Sequence, residues 1–203
     1  MLRADPSPPP AGPPVRRRRP AVFVDKDGTL VRDVPYNADP ALLQFLPGAR
    51  ESLAALAHAG HPLVVVSNQS GLARGRFTRA QFAELQAALE RRLHDEAGVN
   101  LLDVIICPHA PGPDGMPACL CRKPAPGMLL RAARRHQLDL ARSWMVGDTL
   151  DDVEAGHRAG CRTVLLDSGG ETRWRLTPLR LPYARCTEWD EVVHTILGGS
   201  PAA

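Results

Sequence analysis

The sequence predicts a three-layer α/β sandwich around a central, mainly parallel five-stranded sheet. Two observations lead there. Short apolar runs alternate with longer helical patterns, the signature of strands returned to one parallel sheet by crossover helices. The length, 203 residues with 44% apolar composition, suits one well-buried domain and is short for two.

Met1 to Pro20 holds seven prolines, five Arg and no apolar periodicity, so it reads as a disordered tail before a single domain over residues 21–198. Residues 199–203 read as a second disordered end. The formal charge of +3 comes from that tail, because the remainder sets twenty basic residues against twenty-one acidic ones. A near-neutral body with 4% aromatics offers no platform for a nucleic-acid strand, although Arg16 to Arg19 can touch a polyanion. Neither a signal peptide nor a membrane-spanning run is apparent. A cytoplasmic monomer acting on a small molecule, without membrane or nucleic-acid partner, is the expectation.

The five strands are expected at Ala21 to Val24, Leu63 to Val66, Val104 to Cys107, Trp144 to Val146 and Thr163 to Leu166. Helices are expected at Pro47 to Ala59, closed by Gly60, and from the capping box Thr78/Gln81 to about Ala97. Others follow at Met128 to Gln137, Asp151 to Ala159 and Glu188 to Leu197, with loops at Ala110 to Ala118 and Ser168 to Pro182. Ligands of an open parallel sheet sit past the carboxyl ends of its strands, so those positions are the ones to read for chemistry.

The first strand releases Asp25-Lys26-Asp27-Gly28-Thr29, two carboxylates one residue apart. Alone this is equally a solvated Asp-Gly turn. With a third carboxylate it makes a magnesium site, since that ion prefers oxygen ligands. The second strand ends in Ser67-Asn68-Gln69-Ser70-Gly71, hydroxyl and amide groups that can cradle phosphoryl oxygens or simply form a turn. Past the third strand, Arg122-Lys123 sets two cations side by side, Lys123 suited to charge on a transferring phosphoryl group and Arg122 to a second anion. The fourth strand opens into Asp148-Thr149-Leu150-Asp151-Asp152. Part of this cluster complements a helix dipole; Asp148, nearest the strand, is the third magnesium ligand expected beside Asp25 and Asp27, and Asp152 is expected behind it.

Cys107-Pro108-His109, a nine-residue gap and Cys119-Leu120-Cys121 stand directly before Arg122. Three of the five cysteines lie within fifteen residues, and four such ligands suit a closed, tetrahedral structural Zn²⁺ in a loop at 107–121 that braces Arg122 and Lys123. Cys161 and Cys186 read as ordinary thiols.

Four signals in order, each just past a strand of one sheet, resemble the haloacid dehalogenase superfamily. The resemblance implies a fold of that type, Asp25 as nucleophile, Asp27 as general acid and base, Ser67 and Lys123 as phosphoryl stabilisers, and Asp148 as a metal ligand. Cys-Pro-His, Cys-Arg-Lys-Pro and Ser-Asn-Gln-Ser-Gly-Leu-Ala-Arg-Gly narrow it to the heptose bisphosphate and histidinol-phosphate phosphatases, over about Val22 to Asp167. That group lacks a large cap domain, and no insertion here is long enough to build one. The resemblance therefore implies a Mg²⁺-dependent sugar bisphosphate phosphatase whose specificity rests on Asp33 to Tyr36, the segment around Gly71 to Arg76, and the zinc loop. Asp33, Tyr36, Asn68, Gln69, Ser70, Arg74 and Arg122 are the candidate substrate contacts. Histidinol phosphate, whose cationic head Asp33 would suit, a DNA 3′-phosphate, and binding without turnover are the alternatives.

Overall fold

The computed structural model describes residues 18–113 and 118–198. The tail from Met1 to Arg17, residues 114–117 of the loop expected to hold zinc, and residues 199–203 lie outside these. Six strands form one fully parallel sheet in the order β3-β2-β1-β4-β5-β6. They are β1 (Val22–Val24), β2 (Leu63–Asn68), β3 (Asp103–Cys107), β4 (Trp144–Gly147), β5 (Arg162–Leu166) and β6 (Ala184–Cys186). The five expected strands are present; β6 is the addition. It has three residues, one of them the exposed Arg185, so it carries no apolar run that sequence reading could detect.

Helices α1 (Ala49–His58), α2 (Arg79–Ala97) and α5 (Trp189–Leu197) cover one face, while α3 (Gly127–His136) and α4 (Leu150–Ala159) cover the other. Alternate residues of β1 feed the two cores: Val22 and Val24 join α1 and α2, whereas Ala21 and Phe23 join α3 and α4. Burial on both faces explains why the central strands are apolar without interruption. The expected capping box opens α2, with Thr78 Oγ1 accepting from Gln81 N at 3.2 Å and Gln81 Oε1 accepting from Thr78 N at 2.8 Å. Arg19, placed in the tail by composition, already pairs with Leu138.

The connection from Val24 to Ala49 contains one short 3-10 turn, Pro40–Leu42, and no cap domain is evident among the described residues. No described helix is long and apolar enough to cross a membrane. After β1, β2 and β3 the chain jumps back across β1 to lay down β4, so the order reverses at β1. A crevice opens where strand order reverses, outside the carboxyl ends, and the tips of β1, β2 and β4 all face it.

Candidate active site

A cavity of about 850 Å³ occupies that crevice. Asp25, Asp27, Ser67, Lys123 and Asp148 all line it, brought from four segments of the chain. Asp25, Asp148 and Asp152 are buried, and one carboxylate oxygen from each lies within 4.8 Å of the others. The Lys123 ammonium is buried among them, donating to Asp25 Oδ1 and to Val66 O at 3.0 Å and standing 2.6 Å from Asp152 Oδ1. The Asp152 contact is a buried ion pair.

The electrostatics show what the cluster lacks. Burial pushes the Asp25 carboxyl well above its ordinary range against the pull of Lys123, and the neighbouring Asp152, Asp148 and Asp27 add to the rise. Burial likewise pushes Asp148 up to about 7, helped by Asp152 and opposed by the Thr29 hydroxyl and Lys123. For Lys123, burial works against the charge, but Asp152 and Asp25 outweigh it and hold the ammonium above lysine's usual range. Three buried carboxylates around one ammonium leave an excess of negative charge that fits a hard divalent cation such as Mg²⁺.

The third carboxylate of this cluster is Asp152, where Asp27 was expected. Asp27 Oδ1 is taken by Lys26 Nζ, and Oδ2 accepts from Gln69 Nε2 at 2.8 Å, so both of its oxygens are engaged outside that cluster. Asp152 also serves its helix: Oδ2 accepts from Thr149 N at 3.1 Å, the capping half of α4, while Oδ1 faces Lys123.

The expected substrate contacts divide. Asp33, Tyr36, Ser70 and Arg122 line the cavity. Burial and then the Asp27 charge push the Asp33 carboxyl up. Asn68 also lines it, but its side-chain amide is taken by the Lys123 backbone, donating to Lys123 O at 3.2 Å and accepting from Lys123 N at 3.1 Å. Arg74 is exposed and does not line the cavity. Arg76 instead lays its guanidinium 5.5 Å from the ring centre of Tyr36, a residue at φ 57°.

Sequence reading passed over the segment after β5. Ser168 Oγ donates to Gly28 O at 2.8 Å, Glu171 Oε2 accepts from Leu150 N at 2.9 Å at the start of α4, and a Cβ on Gly170 would lie 1.9 Å from Asp148 Oδ2. Only glycine allows the loop to close on Asp148 this tightly. The rule that exposed the other tips, a polar Gly-rich stretch directly past a strand, applies equally to Asp167-Ser168-Gly169-Gly170. Trp189 was also missed; its indole donates to Thr29 O at 3.0 Å and braces the β1 loop from α5.

At the far end of the segment leading to Lys123, Cys107, His109, Cys119 and Cys121 converge. Cys107 and Cys121 are 3.2 Å apart at sulfur, Cys119 and Cys121 3.4 Å, and His109 Nδ1 lies 3.3 Å from Cys121 Sγ. A tetrahedral zinc with Zn–S of about 2.3 Å has S–S edges of about 3.8 Å, so the donors stand as a slightly contracted coordination tetrahedron. None is in a disulfide. Burial raises the Cys119 thiol, yet hydrogen bonds from Cys121, the Arg122 backbone and Cys107 bring it down to about 7. Cys107 is pushed up chiefly by burial.

Comparison with known proteins places this geometry. Residues 120–186 match the HAD-hydrolase-like family. The D-glycero-beta-D-manno-heptose-1,7-bisphosphate 7-phosphatase of Yersinia pestis is 41% identical over 157 residues, 75% of this chain and 82% of the relative. The chain belongs to the haloacid dehalogenase superfamily, in the heptose bisphosphate phosphatase group. The Escherichia coli K12 enzyme of the same name is 41% identical over 155 residues, again 75% of this chain and 81% of its own. Among solved structures, the D,D-heptose 1,7-bisphosphate phosphatase of B. bronchiseptica, complexed with magnesium and phosphate, superposes with a TM-score of 0.72. It shares 33% identity, covering 88% of this chain and 98% of that one. The chain is thus a phosphoric monoester hydrolase of the haloacid dehalogenase superfamily.

Proposed function

We propose that the chain removes the 7-phosphate of D-glycero-beta-D-manno-heptose 1,7-bisphosphate, the substrate named in its relatives, through an aspartyl-phosphate on Asp25. The observation that carries this is the junction of Asp25, Asp27, Ser67 and Lys123 at one cavity wall, with Arg122 on the same cavity.

An Asp25 carboxylate oxygen attacks phosphorus, and the bond from phosphorus to the sugar oxygen breaks. Asp27 gives that oxygen its proton. Asp27 then takes a proton from water, which attacks the acyl phosphate; the bond from phosphorus to Asp25 breaks, and inorganic phosphate leaves. Ser67 donates its hydroxyl to a phosphoryl oxygen, and Lys123, fixed between Asp25 and Asp152, holds positive charge beside the transferring group. Mg²⁺ bound by Asp25 and Asp148, with Asp152 beside them, would offset the repulsion between nucleophile and substrate. Cys107, His109, Cys119 and Cys121 would hold a structural Zn²⁺, leaving no open position for substrate.

Arg122 suits the phosphate that is not cleaved. Its backbone N donates to Cys119 Sγ at 3.3 Å and its guanidinium to His109 O at 3.3 Å, so the zinc loop orients it. Phosphate release from heptose bisphosphate, histidinol phosphate and a 3′-phosphorylated oligonucleotide, measured side by side with Mg²⁺, tests the assignment; the bisphosphate should lead. Arg122→Ala should cost the bisphosphate about ten- to a hundredfold in kcat/KM, the scale of a charge-assisted contact, and a monophosphate much less. Equal losses would remove Arg122 from phosphate recognition. Phosphate from none of the three would leave only the binding-module reading.

A further inference from the structure

Gln69 follows Asn68 at the tip of β2 and is buried, 6% exposed. Its backbone N donates to Cys107 O at 2.8 Å, which fixes it to the neighbouring strand. Its side-chain Nε2 donates to Asp27 Oδ2 at 2.8 Å and to Ser67 Oγ at 2.8 Å. With Nε2 turned to Asp27 Oδ2 and Ser67 Oγ, both hydrogens of the amide are spent within the site. None is left for substrate.

The terminal torsion of an aspartate is intrinsically broad, and a carboxylate on a loop has no preferred direction of its own. Asp27 is held from two sides: Lys26 takes Oδ1, Gln69 takes Oδ2, and Ser67 Oγ lies 3.4 Å from the same Oδ2. We infer that Gln69 is a positioning residue that aims the Asp27 carboxylate at the leaving oxygen and ties it to Ser67, so that proton donor and phosphoryl-contacting hydroxyl keep one geometry. The inference rests on the acid and base role proposed above for Asp27. It moves Gln69 from a substrate contact to a part of the proton-transfer apparatus.

Leaving-group chemistry tests it. A sugar alkoxide departs only when protonated, whereas 4-nitrophenolate departs without a proton. The ratio kcat/KM reports the steps up to the first irreversible one, departure of the leaving group, and is blind to later hydrolysis of the acyl phosphate. Gln69→Leu, close in size and without donors, should lower kcat/KM for heptose bisphosphate about tenfold more than for 4-nitrophenyl phosphate, a part of the roughly 10²- to 10⁴-fold that general acid catalysis supplies. Gln69→Asn, whose amide is one methylene too short to reach Asp27, should show the same selective loss and serves if the leucine variant does not fold. Thermal melting of each variant reports folding separately. Equal losses on both substrates, or no loss on either, would overturn the inference. If wild type hydrolyses 4-nitrophenyl phosphate but not heptose bisphosphate, the substrate assignment fails; histidinol phosphate, also an alkyl ester, then replaces the sugar in the same comparison.

Discussion

Two donor clusters are joined through the segment from Cys107 to Lys123, which supplies all of one and the ammonium at the heart of the other, and they are built in opposite ways. The thiol and imidazole cluster is complete in itself: its close contacts of 3.2–3.5 Å run among the donors, and four donors fill a tetrahedron. The carboxylate cluster is incomplete, with three acids around one ammonium and a cavity of about 850 Å³ in front of it. A closed shell can only hold the chain together, while an open one can accept a substrate anion. Asn68 links the two, its amide bonding both the N–H and the C=O of Lys123 and so transferring the position of the zinc loop to the tip of β2.

The sharpest way to break this contrast is to neutralise one acid. Asp25→Asn should reduce phosphate release by more than about 10⁴-fold, the scale of deleting a nucleophile. Its melting temperature should hold or rise, because the change relieves the crowding of buried carboxylates. A variant that unfolds would show the acidic cluster to be scaffold as well; near-normal turnover would eliminate the covalent route.

Disrupting the other cluster should act at a distance. Metal analysis of protein purified without chelator should find zinc in wild type and little in Cys119→Ser. Activity should fall about ten- to a hundredfold as Arg122 and Lys123 loosen, with the parallel sheet still evident by circular dichroism. Equal metal content in both proteins would remove zinc from the account.

The smallest effect separates the clusters by pH. Asp148 titrates near 3.8 unfolded and is raised to about 7 in the fold, so the folded chain binds the extra proton. Its contribution to stability is therefore full at acid pH and lost as pH rises through about 7. In chelator, the melting temperature at about pH 5.5 should exceed that at about pH 7.5 by a few degrees more in wild type than in Asp148→Asn. Mg²⁺ should erase the difference, and an identical pH response in both proteins would contradict the raised Asp148.

What the sequence disclosed and withheld follows the range of the interactions. Asp25, Ser67 and Asp148 were legible because each stands at a strand tip, and a strand written as an unbroken apolar run announces where it stops; Lys123, in the turn before α3, was legible from its place directly after the paired cysteines and Arg122. The Thr78/Gln81 box and the thiol spacing are equally local. Partners drawn from far along the chain were not legible. Ser168 meets Gly28 across 140 positions and Trp189 meets Thr29 across 160, and neither residue type at its position says so. The exchange of Asp152 for Asp27 was hidden for a related reason. Which way a carboxylate turns is decided by Lys26 and Gln69, whose donors take up Asp27 while Asp152 meets Lys123.

The closed thiol cluster has a further consequence, one for descent. His109 and Cys119, two donors of that cluster, bracket a nine-residue span of the sequence. Once a metal anchors the ends, doubling such a span costs only about 0.6 kcal/mol in closure entropy. Insertions, deletions and new side chains can then accumulate between the anchors without displacing Lys123. The enzyme thus keeps an editable stretch of sequence a few positions before Lys123, which a lineage can vary without altering how it reacts.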